Sequence, residues 1–131
     1  PDIKKLGDDA RRYRDAAKRA AEAQGAAKVR AEGRAACEAS EVCIVSTHES
    51  DARRQCKPAI EAYARFDYDW TDGFGGPETF FSSYVDRSAG TIRFAGNQIK
   101  LQNGFGVWQQ YRYECLYNYR SGRVVNVTLN P

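Results

Sequence analysis

The apolar positions of this chain change period part-way along it. From residue 2 to residue 36 they follow a 3/4 spacing. Ile3, Leu6, Ala10, Tyr13, Ala17, Ala20, Gln24, Ala27 and Ala31 fall on one stripe, and eight of these nine are apolar. That spacing predicts one long helix. Asp8–Arg12 and Asp15–Arg19 add i,i+4 pairs of the favourable orientation. Alanine has the highest helix propensity, while Gly7, Gly25 and Gly33 each cost about 1 kcal/mol. A stripe built mostly of alanine buries little area, so such a helix calls for another helix pressed against it. The partner could be a second copy, giving a homo-oligomeric coiled coil through residues 2–36, or the next helix of the same chain. The plainer expectation is that intrachain hairpin with the next helix, or a partly frayed arm.

Residues 37–46 interrupt the stripe and predict a cystine-closed turn. A second helix is expected to open near Thr47, capped by Ser46 or Thr47, with Ala52, Cys56, Ile60 and Tyr63 on one face. Pro58 lies inside it, which predicts a kink there or a restart with Pro58 at the first helical position. The expected division is therefore residues 1–46, helix and cystine turn, and residues 47–131, helix plus sheet.

After residue 78 the period becomes two. Thr79–Val85, Thr91–Phe94 and Gln98–Leu101 read as strands separated by turns at Asp86–Gly90 and Gly96–Asn97. The clearest strand signal is residues 105–119, with Phe105, Val107, Gln109, Tyr111, Tyr113, Cys115, Tyr117 and Tyr119 on one face. Trp108, Arg112, Glu114, Asn118 and Arg120 share the other. Ser121–Gly122 turns the chain into a last strand, with Val125, Val127 and Leu129 pointing inward. Short connections favour an antiparallel meander. The expected fold class is α+β: a long Ala-rich helix and a second helix packed on a four- or five-stranded antiparallel sheet.

Composition sharpens this picture. Fifteen of the sixteen aromatic residues lie after residue 62, so the packed core belongs to the C-terminal two thirds. Net charge is +3, and residues 1–36 alone carry +4. Their basic residues are interleaved with acids, without the clustering of a nucleic-acid footprint, so nucleic acid is not the expected partner. No stretch approaches the roughly 18–20 apolar residues needed to cross a bilayer. The chain starts at Pro1 without Met, consistent with a removed signal peptide or anchor, or with trimming.

Cys37, Cys43, Cys56 and Cys115 form an even set with no C-x-x-C, and His48 is the one histidine, so zinc is disfavoured. Disulfides imply an oxidising compartment, periplasmic or extracellular. Three pairings are possible; Cys37–Cys43 with Cys56–Cys115 is favoured. In the chain-entropy model the long loop contributes about 4 kcal/mol and the short one about 2 kcal/mol.

Three constellations carry candidate chemistry. Asp67, Asp69, Thr71 and Glu78 take positions 1, 3, 5 and 12 of a calcium-loop template, with Phe74 at the apolar position 8. Asp72 stands where that template wants glycine, Trp70 crowds the loop, and a solvated acidic loop is the plainer alternative; no cofactor other than calcium is suggested. His48, Glu49 and Asp51, with Cys56 as nucleophile, could serve a thiol enzyme, although a disulfide is the simpler fate for Cys56. Trp108, Tyr111, Arg112, Tyr113, Tyr117 and Tyr119 could form a binding face, since aromatics and Arg dominate interface hot spots. Some of these tyrosines must instead cover the helix. No G-x-S-x-G, H-E-x-x-H or phosphate-binding glycine motif is present. Asn126-Val127-Thr128 fits the N-glycosylation pattern.

Cys56-Lys57-Pro58-Ala59-Ile60, then Gln102-Asn103-Gly104-Phe105-Gly106-Val107-Trp108, then Tyr113-Glu114-Cys115-Leu116-Tyr117 resemble a recurrent domain of exported bacterial proteins. That domain reads C-K-x-x-I, helix, sheet, Q-N-x-F-G-A, strand, C. The resemblance covers about half the chain and implies compartment and fold. It also supports a Cys56–Cys115 bond and brings no activity with it. The Asp67–Glu78 loop stands where shorter members have a Ser-Pro-rich link, and Cys37, Cys43 and the long helix are additions. The run Asn103-Gly104 suits positive φ, and Gly106 suits a bulge or a close backbone approach that Trp108 would cover.

The resulting expectation is a non-catalytic interaction module of the bacterial cell envelope whose partner is a protein or envelope component. The alternative is a secreted inhibitor or small-ligand or calcium binder using the Asp67–Glu78 loop. A thiol enzyme ranks third.

Overall fold

The computed structural model describes residues 3–73 and 75–131, the side chains of residues 3–6 excepted. The chain divides into two compact units, one ending at Ser40 and one starting at Glu41, six residues earlier than the sequence suggests.

The first unit is the helix α1, Ile3–Glu38. At 1.5 Å per residue it is about 54 Å long. From Gly7 on its residues are exposed apart from the half-buried Asp8 and Cys37, and its two largest described apolar side chains, Tyr13 and Val29, are largely solvated. The expected break over residues 37–46 shrinks to Ala39 and Ser40. Ser40 N–H bonds back to the Cys37 carbonyl at 2.9 Å, and a new helix begins at once. Cys37 and Cys43 therefore sit on helices rather than in a turn, and both are disulfide-bonded.

The second helix, α2, spans Glu41–Glu61, not a segment opening at Thr47. Glu41 in its first turn complements the helix dipole, so the helix opens there and not at the expected cap, Ser46 or Thr47. Its buried residues are Ile44, Ala52, Cys56 and Ile60, all on one i,i+4 row that His48 completes half-buried. The helix neither stops nor restarts at Pro58. Pro58 and Arg54 both lie on its exposed side, where water can reach the Arg54 carbonyl that loses its helical donor.

The sheet is antiparallel and five-stranded: β1 Tyr68–Trp70, β2 Ser82–Asp86, β3 Thr91–Gln102, β4 Trp108–Asn118 and β5 Arg123–Asn130. Together with α2 it makes the expected α+β fold, but the connectivity is not a plain meander. β1 was hidden in the acidic loop by its flanking glycines and aspartates. It pairs with the last residues of β3, Ile99–Leu101. β2 pairs with the first residues of the same edge, Thr91–Ala95. Two short strands thus lie end to end along one long one.

β3 is continuous where Gly96–Asn97 suggested a turn. Gly96 faces Tyr113 and Ile99 faces Tyr111, so β3 spends one more residue than β4 over this interval, a β-bulge. Tyr113 anchors it. Its hydroxyl accepts from Gln98 N–H and donates to the Thr79 carbonyl, while Gln110 Nε2 donates to the Asn97 carbonyl at 2.6 Å. Only glycine fits at 96, because a β-carbon there would overlap the Thr79 carbonyl and the Tyr113 ring. A second bulge, between Leu116 and Tyr117, puts Val124 opposite Tyr117. Val124 therefore packs on the core and Val125 points to solvent, the reverse of the expected alternation there, while Val127 and Leu129 face inward as expected.

The core lies between α2 and one sheet face. Phe80 stacks on Phe94 with centroids 4.7 Å apart and meets Tyr113 edge-on. At its centre the Cys56–Cys115 disulfide joins α2 to β4, both cysteines fully buried. Its loop of sequence separation 59 corresponds to about 4 kcal/mol of unfolded-state restriction.

Gly96→Ala is expected to cost on the order of 3 kcal/mol through overpacking at the bulge. Gly33→Ala, with open space around its β-carbon position inside α1, should cost nothing and stabilise the helix by up to about 1 kcal/mol. Urea unfolding of both variants checks the pair.

Candidate functional site

Of the six residues expected to share a binding face, the structure brings few together. Tyr113 and Tyr117 are core residues, each 1% exposed. Burial, the larger cause, and in Tyr117 also the Asp51 carboxylate, push both phenols up to about 12. Tyr111 and Tyr119 are half-buried against the core. Arg112 lies on the opposite face of β4, 5.9 Å from the centre of the Phe81 ring. Trp108 alone is an exposed aromatic of that set.

Tyr117 instead closes a polar network across the α2–sheet interface. Its hydroxyl donates to Asp51, which also receives Arg54 and Gln55 Nε2; Gln55 reaches the Gly122 carbonyl at 2.7 Å. His48 lies against Tyr119 and Tyr117, ring centroids 5.5 and 6.2 Å away. The thiol-enzyme constellation does not form, because Cys56 is buried in a disulfide and carries no thiol.

The calcium-loop reading also fails locally. Positions 2–4 of the template are the extended strand β1, which cannot wrap a cation. Asp67 Oδ1 accepts its neighbour's Tyr68 N–H, and Thr71 Oγ1 donates to Gln98 Oε1. Phe74 lies outside the described residues. No group of three or more His, Cys, Asp or Glu side chains is placed to hold a metal among the described residues. The acid held in place here is Asp72, at the position where the calcium template wants glycine. Its side chain is 4% exposed, 2.7 Å from Lys57 Nζ, and accepts from Thr79 Oγ1. Lys57 also lies 4.7 Å over the Trp70 ring.

An exposed aromatic cluster sits at the end of the sheet that outruns its coverings. α2 stops at Glu61, and β5 pairs with β4 only over Arg112–Asn118. The β3–β4 hairpin continues beyond both. Strand alternation puts Leu101, Gln109 and Tyr111 on the α2-facing side of that overhang. The turn after α2 folds across it: Tyr63 donates to the Val127 carbonyl at 2.7 Å, and the Phe66 ring closes on Gly104. Between them is an open cavity of about 310 Å³, with Arg65, Gln102 and Asn103 on its rim.

The hairpin tip is braced by one side chain. Asn103 Oδ1 accepts from Phe105 N–H and Val107 N–H at 2.9 and 3.0 Å, and its own N–H reaches the Val107 carbonyl. The positive φ falls on Gly106, at 79°, rather than on Asn103 or Gly104. Gly104 is small because Phe66 lies against it. This bracing presents Phe105 at 93% exposure, flanked by Val107. Tyr63, Phe66 and Tyr68, also exposed, carry no pattern that marks them as surface residues; the spacing puts Tyr63 on the helix face, since the end of α2 has no strong stop signal.

Comparison with protein-family models, with curated proteins and with solved structures finds no match to this chain.

Burial raises the Asp72 carboxyl, but hydrogen bonds from Lys57 and Thr79 and the Lys57 charge outweigh it and leave it below its ordinary 3.8. A depressed folded-state value stabilises the fold above the unfolded value and loses that contribution as pH falls through the folded one. Asp72→Asn should therefore cost about 2 kcal/mol at neutral pH. The gap from wild type should close below pH 3.8, which thermal melts across the acid range would show.

Proposed function

We propose that this chain is a non-catalytic interaction module of the bacterial cell envelope, docking through the aromatic end of its sheet unit. The supporting observation is the Asn103-braced tip that holds Phe105 almost wholly in solvent. A large apolar side chain on an ordered turn loses little conformational freedom when it is buried in a partner, the property of an interface anchor. Val107 and Trp108 extend the apolar surface around it. Disulfide bonding of all four cysteines supports an oxidising compartment, periplasmic or extracellular. The likeness of the Cys56, Gln102–Trp108 and Cys115 segments to a recurrent exported domain supports the bacterial envelope.

In this reading α1 serves to dock or to oligomerise. Its exposed stripe buries nothing within the helix itself, and a second helix laid along Ala17 and Ala20 could approach closely. Light scattering should then give a multiple of the chain mass, and Ala17→Glu with Ala20→Glu should return the monomer.

The docking reading is tested by co-sedimentation with isolated bacterial envelopes. Wild type should sediment with them, and Phe105→Ser should lower the affinity about tenfold, the effect of losing one anchor. Equal retention of the variant, or no retention of wild type, would remove this surface from the account.

A further inference from the structure

The cavity beside the docking tip has its own chemistry, distinct from that of Phe105. Three aromatic side chains line it: Tyr111 from β4, with Tyr63 and Phe66 from the turn after α2. Its rim carries primary amides, Gln102, Asn103 and Gln109, and the Arg65 guanidinium. No carboxylate lines it among the described residues.

Much of this polar equipment is unspent. The side chains of Arg65, Gln109 and Tyr111 make no hydrogen bond among the described residues, and Asn103 uses its oxygen but not its amide hydrogens. A purely apolar ligand would strand these groups, at a cost in each buried contact. A metal cation would find no anionic ligand, and a multiply charged anion would find one cation only. The remaining class is a neutral, polyhydroxylated ligand with an apolar face. Its C–H face would lie on the rings, and its hydroxyls would meet amides that donate and accept at once.

We infer that this groove is a saccharide subsite that takes one or two pyranose units of a glycan chain, with Phe66 and Tyr63 stacking and Gln109 and Arg65 bonding hydroxyls. The inference rests on the envelope-module reading for the source of the glycan and makes the partner a polysaccharide rather than a protein. A cavity of about 310 Å³ falls at the lower end of small-ligand sites, consistent with a short stretch of chain.

The test uses the whole chain and two probes, cellotetraose and the tetramer of N-acetylglucosamine, titrated by calorimetry and by ligand-observed NMR. At least one should bind weakly, and the pair separates a bare pyranose chain from an N-acetylated one. Gln109→Ala, an exposed truncation, and Phe66→Ala should each weaken binding about tenfold. Phe105→Ser should leave saccharide binding intact while reducing envelope sedimentation. If neither probe binds while wild type still sediments with envelopes, the subsite is overturned and the docking reading stands. Binding that survives both Gln109→Ala and Phe66→Ala also overturns it. So does envelope retention abolished by protease treatment of the envelopes. Loss of sedimentation together with absence of saccharide binding would sink both readings.

Discussion

The Cys56–Cys115 bond is the constraint on which the sheet unit depends. It fixes the middle of α2 against the middle of β4, at the centre of a core otherwise assembled from residues far apart in sequence. The neighbours of Cys56 then fall into place by helical geometry. Lys57, next along, reaches over Trp70 to Asp72 and pins the start of the loop after β1. Gln55, on the other side, reaches the β4–β5 turn at Gly122. One covalent cross-link is thus flanked by two polar reaches that hold opposite margins of the sheet to the same helix.

The same placement defines the exposed end. With the helix held at its middle, its last turn ends short of the β3–β4 hairpin, and the overhanging strands keep their inner face uncovered. Leu101, Gln109 and Tyr111 continue the alternation of the core residues Ile99, Tyr113 and Cys115, yet they meet Tyr63 and Phe66 rather than α2. The groove is what remains of a core where its lid runs out. The hairpin tip beyond it is ordered by Asn103 instead of by packing, which lets an aromatic residue be displayed instead of buried.

Much of the fold could be read from local pattern, and its failures share a cause. The long alternation of residues 105–119 announced β4, and the 3/4 spacing announced α1, because each pattern repeats over many residues. β1 was missed since three residues, Tyr68–Trp70, cannot show a period, and its pairing with β3 is decided by tertiary contact. Gly96-Asn97 resembled a turn because a bulge wants the same small, adaptable residues. Val125 reads as inward by simple alternation, but a second bulge, invisible in sequence, shifts the phase by one. Of the candidate site, Trp108 was named, but Tyr113 and Tyr117 belong to the core. Phe66 and Phe105 went unrecognised as display residues, since exposure of an aromatic depends on where a covering helix stops.

β1 and β2 share one edge of β3, and the chain between them leaves and returns to the same strand. Its length is not fixed by the distance between two different elements. New residues there would need only to start after Asp72, which Lys57 holds, and end before Thr79, whose carbonyl Tyr113 holds. That makes the stretch between Asp72 and Thr79 a natural point of growth, where lineages carrying this architecture could diverge in length while sheet register, disulfide and hairpin stay unchanged.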